Sequence, residues 1–180
     1  MNIQHSSRLD AWETPQYIID MVHEVLGGID LDPASSHSAN ERVQAGDILT
    51  EDQDALNIEW PCDDHTSLYI NPPGGKVGRH SKTGLFWQKL MRYRQQGMIK
   101  DAIFMFFSIE ALQVTQNYEC PSAGQFLACV PSKRIKFIDP TNPEKVSPSH
   151  SNMIVYVPGS RDRSFKFKRV FEQLGVLINE

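Results

Sequence analysis

The residues of this chain best placed to do chemistry are Asn71-Pro72-Pro73, which follow directly on the apolar run Ser67-Leu68-Tyr69-Ile70. Two successive prolines have no N–H to donate and fix φ, so a strand cannot extend its ladder through them and its carbonyls are left aimed away from the sheet. A carboxamide oxygen beside such a carbonyl makes a pair of hydrogen-bond acceptors. One substrate suits that pair, a planar amine whose lone pair is delocalised into an aromatic ring. If the Asn71 oxygen and the Pro72 carbonyl each accept one amine hydrogen, the nitrogen pyramidalises as its lone pair leaves the ring. It becomes nucleophilic without first losing a proton. Acceptors braced by a Pro-Pro turn meet charge that develops only in the transition state, and they need no reorganisation to do so. The same string also reads as a strand stopping in an ordinary Asn-Pro turn.

Such a corner has to be held by regular elements. Thr14-Pro15 followed by Tyr17, Ile18, Met21, Val22, Val25 and Leu26 predicts a helix with a Thr cap, Pro in the first turn and an apolar stripe, closed by Gly27-Gly28. Residues 29–32 read as a short buried strand, 34–43 as a short helix, and 68–70 as the strand that delivers Asn71; residues 48–60 show no single pattern. Residues 74–84 read as a Gly-rich basic loop, long for a connection and a candidate for ordering by substrate. A helix over 84–96 turns Leu85, Phe86, Leu90 and Met91 inward and leaves Trp87 off its stripe. The run Ala102-Ile103-Phe104-Met105-Phe106-Phe107 predicts a central parallel strand. A helix over 109–118, strands over 124–130 and 153–157 and a terminal helix over 165–174 complete the order. Between them a second loop, 131–151, carries Pro140, Pro143 and Pro148. Strands alternating with helices predict one α/β domain over residues 1–180, Rossmann-like, with a mostly parallel central sheet flanked by helices. Ligands of such sheets bind beyond the strand C-termini, where Asp32 and Asn71 share one crevice.

The net charge is -4, which speaks against attraction of nucleic acid by the whole molecule, and local charge decides. Lys76, Arg79, His80 and Lys82 crowd the first loop, Lys133, Arg134 and Lys136 the second, while Arg161, Arg163, Lys166, Lys168 and Arg169 read as a solvated face. Cys62, Cys120 and Cys129 cannot all pair, and no stretch resembles a signal peptide or a membrane span, so a reducing cytoplasm is expected. Cys62-Asp63-Asp64-His65 has no second ligand pair, and no metal is expected. A deaminase Cys-x-x-Cys, a P-loop Gly-Lys-Ser/Thr and a Gly-x-Ser-x-Gly elbow are all missing from the sequence.

A strand followed by Asn-Pro-Pro resembles the motif of S-adenosylmethionine-dependent amino-methyltransferases. Trp12-Glu13-Thr14-Pro15, Asp30-Leu31-Asp32-Pro33-Ala34-Ser35, Asn40, the segment from Thr50 to Leu56, Trp60, Asn71-Pro72-Pro73 and Arg134-Ile135-Lys136-Phe137 occur in the order seen in phage-type Dam-like N6-adenine DNA methyltransferases. The resemblance spans residues 12–157. It implies S-adenosylmethionine as cofactor, DNA as partner, and methyl transfer to the adenine N6 amine, with Asn71, Pro72 and Pro73 catalytic. It further implies cofactor contacts from Trp12, Thr14, Pro15, Asp32, Pro33, Ala34, Ser35, Asp54, Ala55 and Leu56. Substrate contacts are expected from Gly74, Gly75, Lys76, Arg79, Lys82, Trp87, Lys133 and Arg134. Gly74-Gly75 stand where the family usually carries an aromatic residue that stacks on the extruded base, and Trp87 or Phe86 could supply that surface instead. The usual glycine-rich cofactor loop is replaced by Asp32-Pro33-Ala34-Ser35, as in the phage group. No separate target-recognition domain is expected, hence short or relaxed specificity. Other readings are a methyltransferase-fold binding protein without turnover, and methylation of RNA adenine or protein glutamine.

Overall fold

The protein, described here from a computed structural model over residues 12–142 and 151–179, is built on a seven-stranded sheet. In chain order the elements are α1 (Gln16–Leu26), β1 (Leu31–Asp32), α2 (His37–Val43), β2 (Asp47–Ile48), β3 (Ser67–Ile70), β4 (Lys76–Val77), β5 (His80–Ser81), α3 (Lys82–Gln95), β6 (Asp101–Phe106), α4 (Ala111–Val114), β7 (Ala128–Pro131), β8 (Met153–Pro158), α5 (Ser164–Phe171) and β9 (Gly175–Ile178). The sheet order is β2-β1-β3-β6-β8-β7-β9. Strands β2, β1, β3 and β6 pair in parallel; β8 runs against both β6 and β7, and β9 against β7, so five of the seven strands share one direction. This mixed α/β arrangement is compatible with a Rossmann-like fold. The central strand β6 is parallel on one side only, because β8 returns between β6 and β7.

The sheet's two faces are read off by parity. Ala102, Phe104 and Phe106 of β6 join Leu68 and Ile70 of β3 in a cluster with Phe86, Trp87 and Leu90 of α3, while Ile103, Met105 and Tyr69 pack with α1 and α5 on the other face. A strand buried on both sides needs an unbroken apolar run, which is what β6 has. Helix α1 buries Ile18, Ile19, Val22, Val25 and Leu26, each worth roughly 1.5–3 kcal/mol of transfer free energy.

Several predicted elements change. Thr14 does not cap α1. The cap position is Pro15, with no side-chain bond, because the Thr14 hydroxyl is engaged elsewhere, 2.6 Å from the Tyr69 hydroxyl. Helix α2 starts later than expected, capped by Ser36, whose Oγ accepts from the Ala39 N–H at 3.0 Å. The predicted basic loop 74–84 is instead a hairpin of β4 and β5 running into α3. Val77 pairs with His80 across Gly78-Arg79, and Gly78 sits at φ 59° as the first turn residue of a type II′ hairpin demands. At Gly84 a Cβ would collide with the Tyr118 ring, so α3 closes on that residue in its present position because the helix carries a glycine there. The predicted terminal helix ends early and gives way to β9. Of the second predicted loop, residues 143–150 lie outside the described residues. No described helix is long and apolar enough to cross a membrane.

Candidate active site

Strand β1 has β2 on one side and β3 on the other, so the chain reverses its winding there, and a crevice opens beyond the C-terminal ends of β1 and β3. A cavity of about 620 Å³ occupies it. Pro33, Ala34 and Ser35 reach it from β1, Asn71, Pro72 and Pro73 from β3, and Glu51, Asp52, Asp54, Ala55 and Leu56 from the segment after β2. Trp12 and Glu13 enter from the N-terminal segment, Val77 from the hairpin, Lys82 and Phe86 from α3, and Pro140 from the segment after β7.

The asparagine is held by residues far away in sequence. Its Nδ2 donates to the Trp12 carbonyl at 2.8 Å and to the Thr14 Oγ1 at 3.2 Å. A carbonyl can only accept, so the NH2 end of the amide faces the N-terminal segment. The Asn71 Oδ1 is therefore turned the other way, buried and without a hydrogen-bond partner among the described residues. A buried unpaired acceptor costs roughly 1–3 kcal/mol, and this one belongs to a residue of the cavity wall.

The N-terminal segment is fixed in turn. Glu13 and Ile138 exchange backbone hydrogen bonds at 2.8 and 2.9 Å, which turns the Glu13 amide toward the segment after β7 and leaves the flanking Trp12 carbonyl for Asn71. The Glu13 carboxylate, in the cavity wall, is ion-paired with Arg42 and accepts from Ser38 at 2.7 Å.

The segment after β2 is shaped by polar contacts. Thr50 and Gln53 form a capping box, and Asp54 adopts a left-handed conformation, φ 50°, with its carboxylate accepting from Asn57 at 2.6 Å. The turn that follows closes on the ammonium of Lys89. Its Nζ donates to the carbonyls of Ala55, at 2.7 Å, Leu56 and Ile58, and lies 5.3 Å from the Trp60 ring centre. Burial pushes the Lys89 pKa down.

Asp32 does not line the cavity. It is buried, and its carboxylate turns back to accept from the Ala34 N–H at 3.0 Å and from Ser35, closing the Asp32-Pro33-Ala34-Ser35 turn. Burial raises its pKa to about 7. Thr14 and Pro15 also sit behind the wall, buried. Trp87 departs from its expected role as a stacking surface: it is fully buried, donates to the Pro121 carbonyl at 2.9 Å and packs edge-on against Phe104 and Phe126. Phe86, read from its spacing as core, is the aromatic residue of α3 that reaches the cavity. Gly75, Lys76 and Arg79 are exposed on or beside the hairpin, Gly74 is half-buried, and Lys133 and Arg134 are exposed after β7. Sequence reasoning passed over Glu13, Tyr69 and Lys89 as site-forming residues. Only Lys89 left a local signal, a charge between the inward Phe86 and Leu90 on the helix stripe.

The cavity wall carries four carboxylates, of which Glu13 is paired with Arg42, so that Glu51, Asp52 and Asp54 stand against one amine, Lys82, besides His37. Together with the apolar Ala34, Leu56 and Phe86, this suits a ligand that combines a cationic part with a flat ring. The unpaired Asn71 oxygen requires a donor. Among the described residues no group of His, Cys, Asp or Glu could hold a metal ion. A family model described as DNA N-6-adenine-methyltransferase (Dam) matches residues 2–165. No curated protein and no solved structure matches the chain.

Proposed function

Because the chain belongs to the DNA N-6-adenine-methyltransferase (Dam) family, we propose that it moves a methyl group from S-adenosylmethionine to the N6 amine of an adenine turned out of the DNA stack, as a phage- or prophage-type enzyme. The observation that carries this reading is the Asn71 Oδ1, buried without a donor on a residue that lines the cavity. The N6 amine offers the donor it lacks, and the Pro72 carbonyl beside it can accept the second hydrogen. Both acceptors strengthen as positive charge grows on the nitrogen, which is differential stabilisation of the transition state, and once the methyl–sulfur bond has broken the surplus N6 proton passes to solvent.

When bound, S-adenosylmethionine supplies an electrophilic methyl group on a sulfonium. The residues that would hold it are Ala34, Ser35, Asp54, Ala55 and Leu56, with Trp12 beside them. The excess of carboxylates in the wall favours a cationic donor. Thr14, Pro15 and Asp32 support this surface from behind.

Extruding a base costs a few kcal/mol, which contacts to the strand must offset. Lys76 and Arg79 on the hairpin, whose Val77 borders the cavity, are the candidates on one side, and Lys133 and Arg134 on the other. These are small surfaces, so recognition of a short or relaxed site follows. Phe86 takes the stacking role that Gly74 cannot.

Transfer of a labelled methyl group to unmethylated duplex DNA tests the proposal, with Asn71→Ala as control. Label on adenine N6, lost in the variant, is the expected result. Label arriving equally fast with Asn71→Ala would refute the role of the amide.

A further inference from the structure

We propose that Thr14 and Tyr69 are positioning residues for the methyl-transfer step, which aim the Asn71 amide, and that Thr14 does not serve as a cofactor contact. The inference rests on the reading of Asn71 given above.

Its basis is the geometry behind the cavity wall. Tyr69 lies two residues before Asn71 and is fully buried on the α1 side of the sheet. Its hydroxyl is 2.6 Å from the Thr14 Oγ1, which is 3.2 Å from the Asn71 Nδ2. Desolvation holds the Tyr69 phenol well above its ordinary pKa, so it stays protonated and keeps a proton for the bond. A hydroxyl oxygen has two lone pairs. Whichever of Thr14 and Tyr69 donates to the other, one Thr14 lone pair is left for the asparagine.

Two bonds do what one cannot. The Trp12 carbonyl decides which end of the amide faces inward, but a single bond still leaves the amide some room to twist about the axis joining it to Cβ. The Thr14 bond fixes its plane. The Oδ1 then points in one direction, a condition an acceptor must meet if it is to strengthen in the transition state without rearranging. Thr14 is itself immobilised, since it lies between the backbone-paired Glu13 and the start of α1. The chain thus uses a side chain of β3 and a residue of the N-terminal segment to orient a third side chain at the strand end.

The test compares Thr14→Val, Thr14→Ser, Tyr69→Phe and Asn71→Ala with the unaltered chain, in steady-state methyl transfer and in binding of duplexes carrying adenine or purine, which lacks the amine, at the target. Thr14→Val keeps the shape and removes the hydroxyl. It should lower kcat about 10- to 100-fold, the scale on which a misplaced group costs rate, while KM for S-adenosylmethionine stays near that of the unaltered chain. Its preference for adenine over purine should shrink. Thr14→Ser should restore both, and Tyr69→Phe should lower kcat by a smaller factor. A Thr14→Val protein with unchanged kcat and unchanged adenine preference would overturn the inference. So would one whose defect lies wholly in KM for S-adenosylmethionine, which would return Thr14 to the role of cofactor contact. Should Thr14→Val not fold, Tyr69→Phe decides by the same two readouts. If Asn71→Ala is fully active, the reading of the site fails and this inference with it. If Asn71→Ala is inactive and the Thr14 and Tyr69 variants are normal, the inference alone fails.

Discussion

Asp32 ties the stability of the ligand-free protein to pH in a direction that a surface carboxylate would not. It is 2 % exposed, and its folded-state pKa of about 7 lies above the ordinary 3.8 because burial penalises the charge, offset only partly by the Ala34 N–H and Ser35. A carboxyl whose pKa is raised by folding binds a proton more tightly in the native state. Its contribution is greatest below the unfolded pKa and is lost as pH rises through the folded one. Taking those two values, the stability lost from this one group between about pH 5 and about pH 8 is roughly 2–3 kcal/mol, at about 1.36 kcal/mol per unit. Asp32→Asn retains an oxygen for the Ala34 N–H and has no charge to bury. Urea unfolding at both pH values, on the ligand-free protein and the variant, isolates the effect, because other titrating groups cancel in the difference. The variant's advantage should grow with pH by that amount. Parallel pH profiles for the two proteins would refute the argument and would mean that the carboxylate is solvated or ion-paired in solution.

Other consequences concern the two sides of the cavity. Lys89→Met removes the ammonium from three carbonyls, of which that of Ala55 keeps the Trp60 indole N–H at 2.9 Å. The carbonyls of Leu56 and Ile58 lose their donor but lie close enough to solvent to be partly rehydrated, so a loss of about 1–2 kcal/mol in unfolding free energy is expected, with weaker S-adenosylmethionine binding by calorimetry because the same turn lines the cavity. Unchanged stability would mean that water replaces the ammonium. Lys76→Ala and Arg79→Ala should each weaken DNA binding similarly on all sequences and reduce the slope of log affinity against log salt by about 1. A titration series at several salt concentrations reads this directly, and an unaltered slope would remove the hairpin from the DNA surface.

The sequence revealed where the site lies better than how it is held. A buried parallel strand announces itself by an unbroken apolar run, and Asn-Pro-Pro must end a ladder, so the crevice beyond β1 and β3 could be anticipated from residues 29–32 and 68–73. Edge elements were harder. β9, with Val176 62 % exposed, has no strong periodicity and is a strand only because it pairs with β7. The hairpin β4–β5 consists of two-residue strands, below the length at which alternation can be seen. On α3, Phe86 and Trp87 are adjacent, and which of them meets the cavity depends on the depth of the sheet beneath the helix. Helical spacing cannot supply that depth.

Thr14 shows the same limit in one side chain. A Thr before a Pro at a helix start satisfies every local criterion for a cap, yet a hydroxyl in that position can serve either the helix N–H groups or a partner across the fold. Here the competitors are Tyr69 and Asn71, 55 and 57 residues away, and their buried polar groups have more to lose than the first turn of α1, whose free N–H groups can bond to water. Satisfying the Asn71 NH2 in this way leaves the Oδ1 without a partner. Buried polar groups in folded proteins are nearly always paired. On the proposed reading, an exception tied down by two hydrogen bonds on its other end, on a residue of a cavity wall at a strand terminus, is held in readiness for a donor arriving from outside the chain.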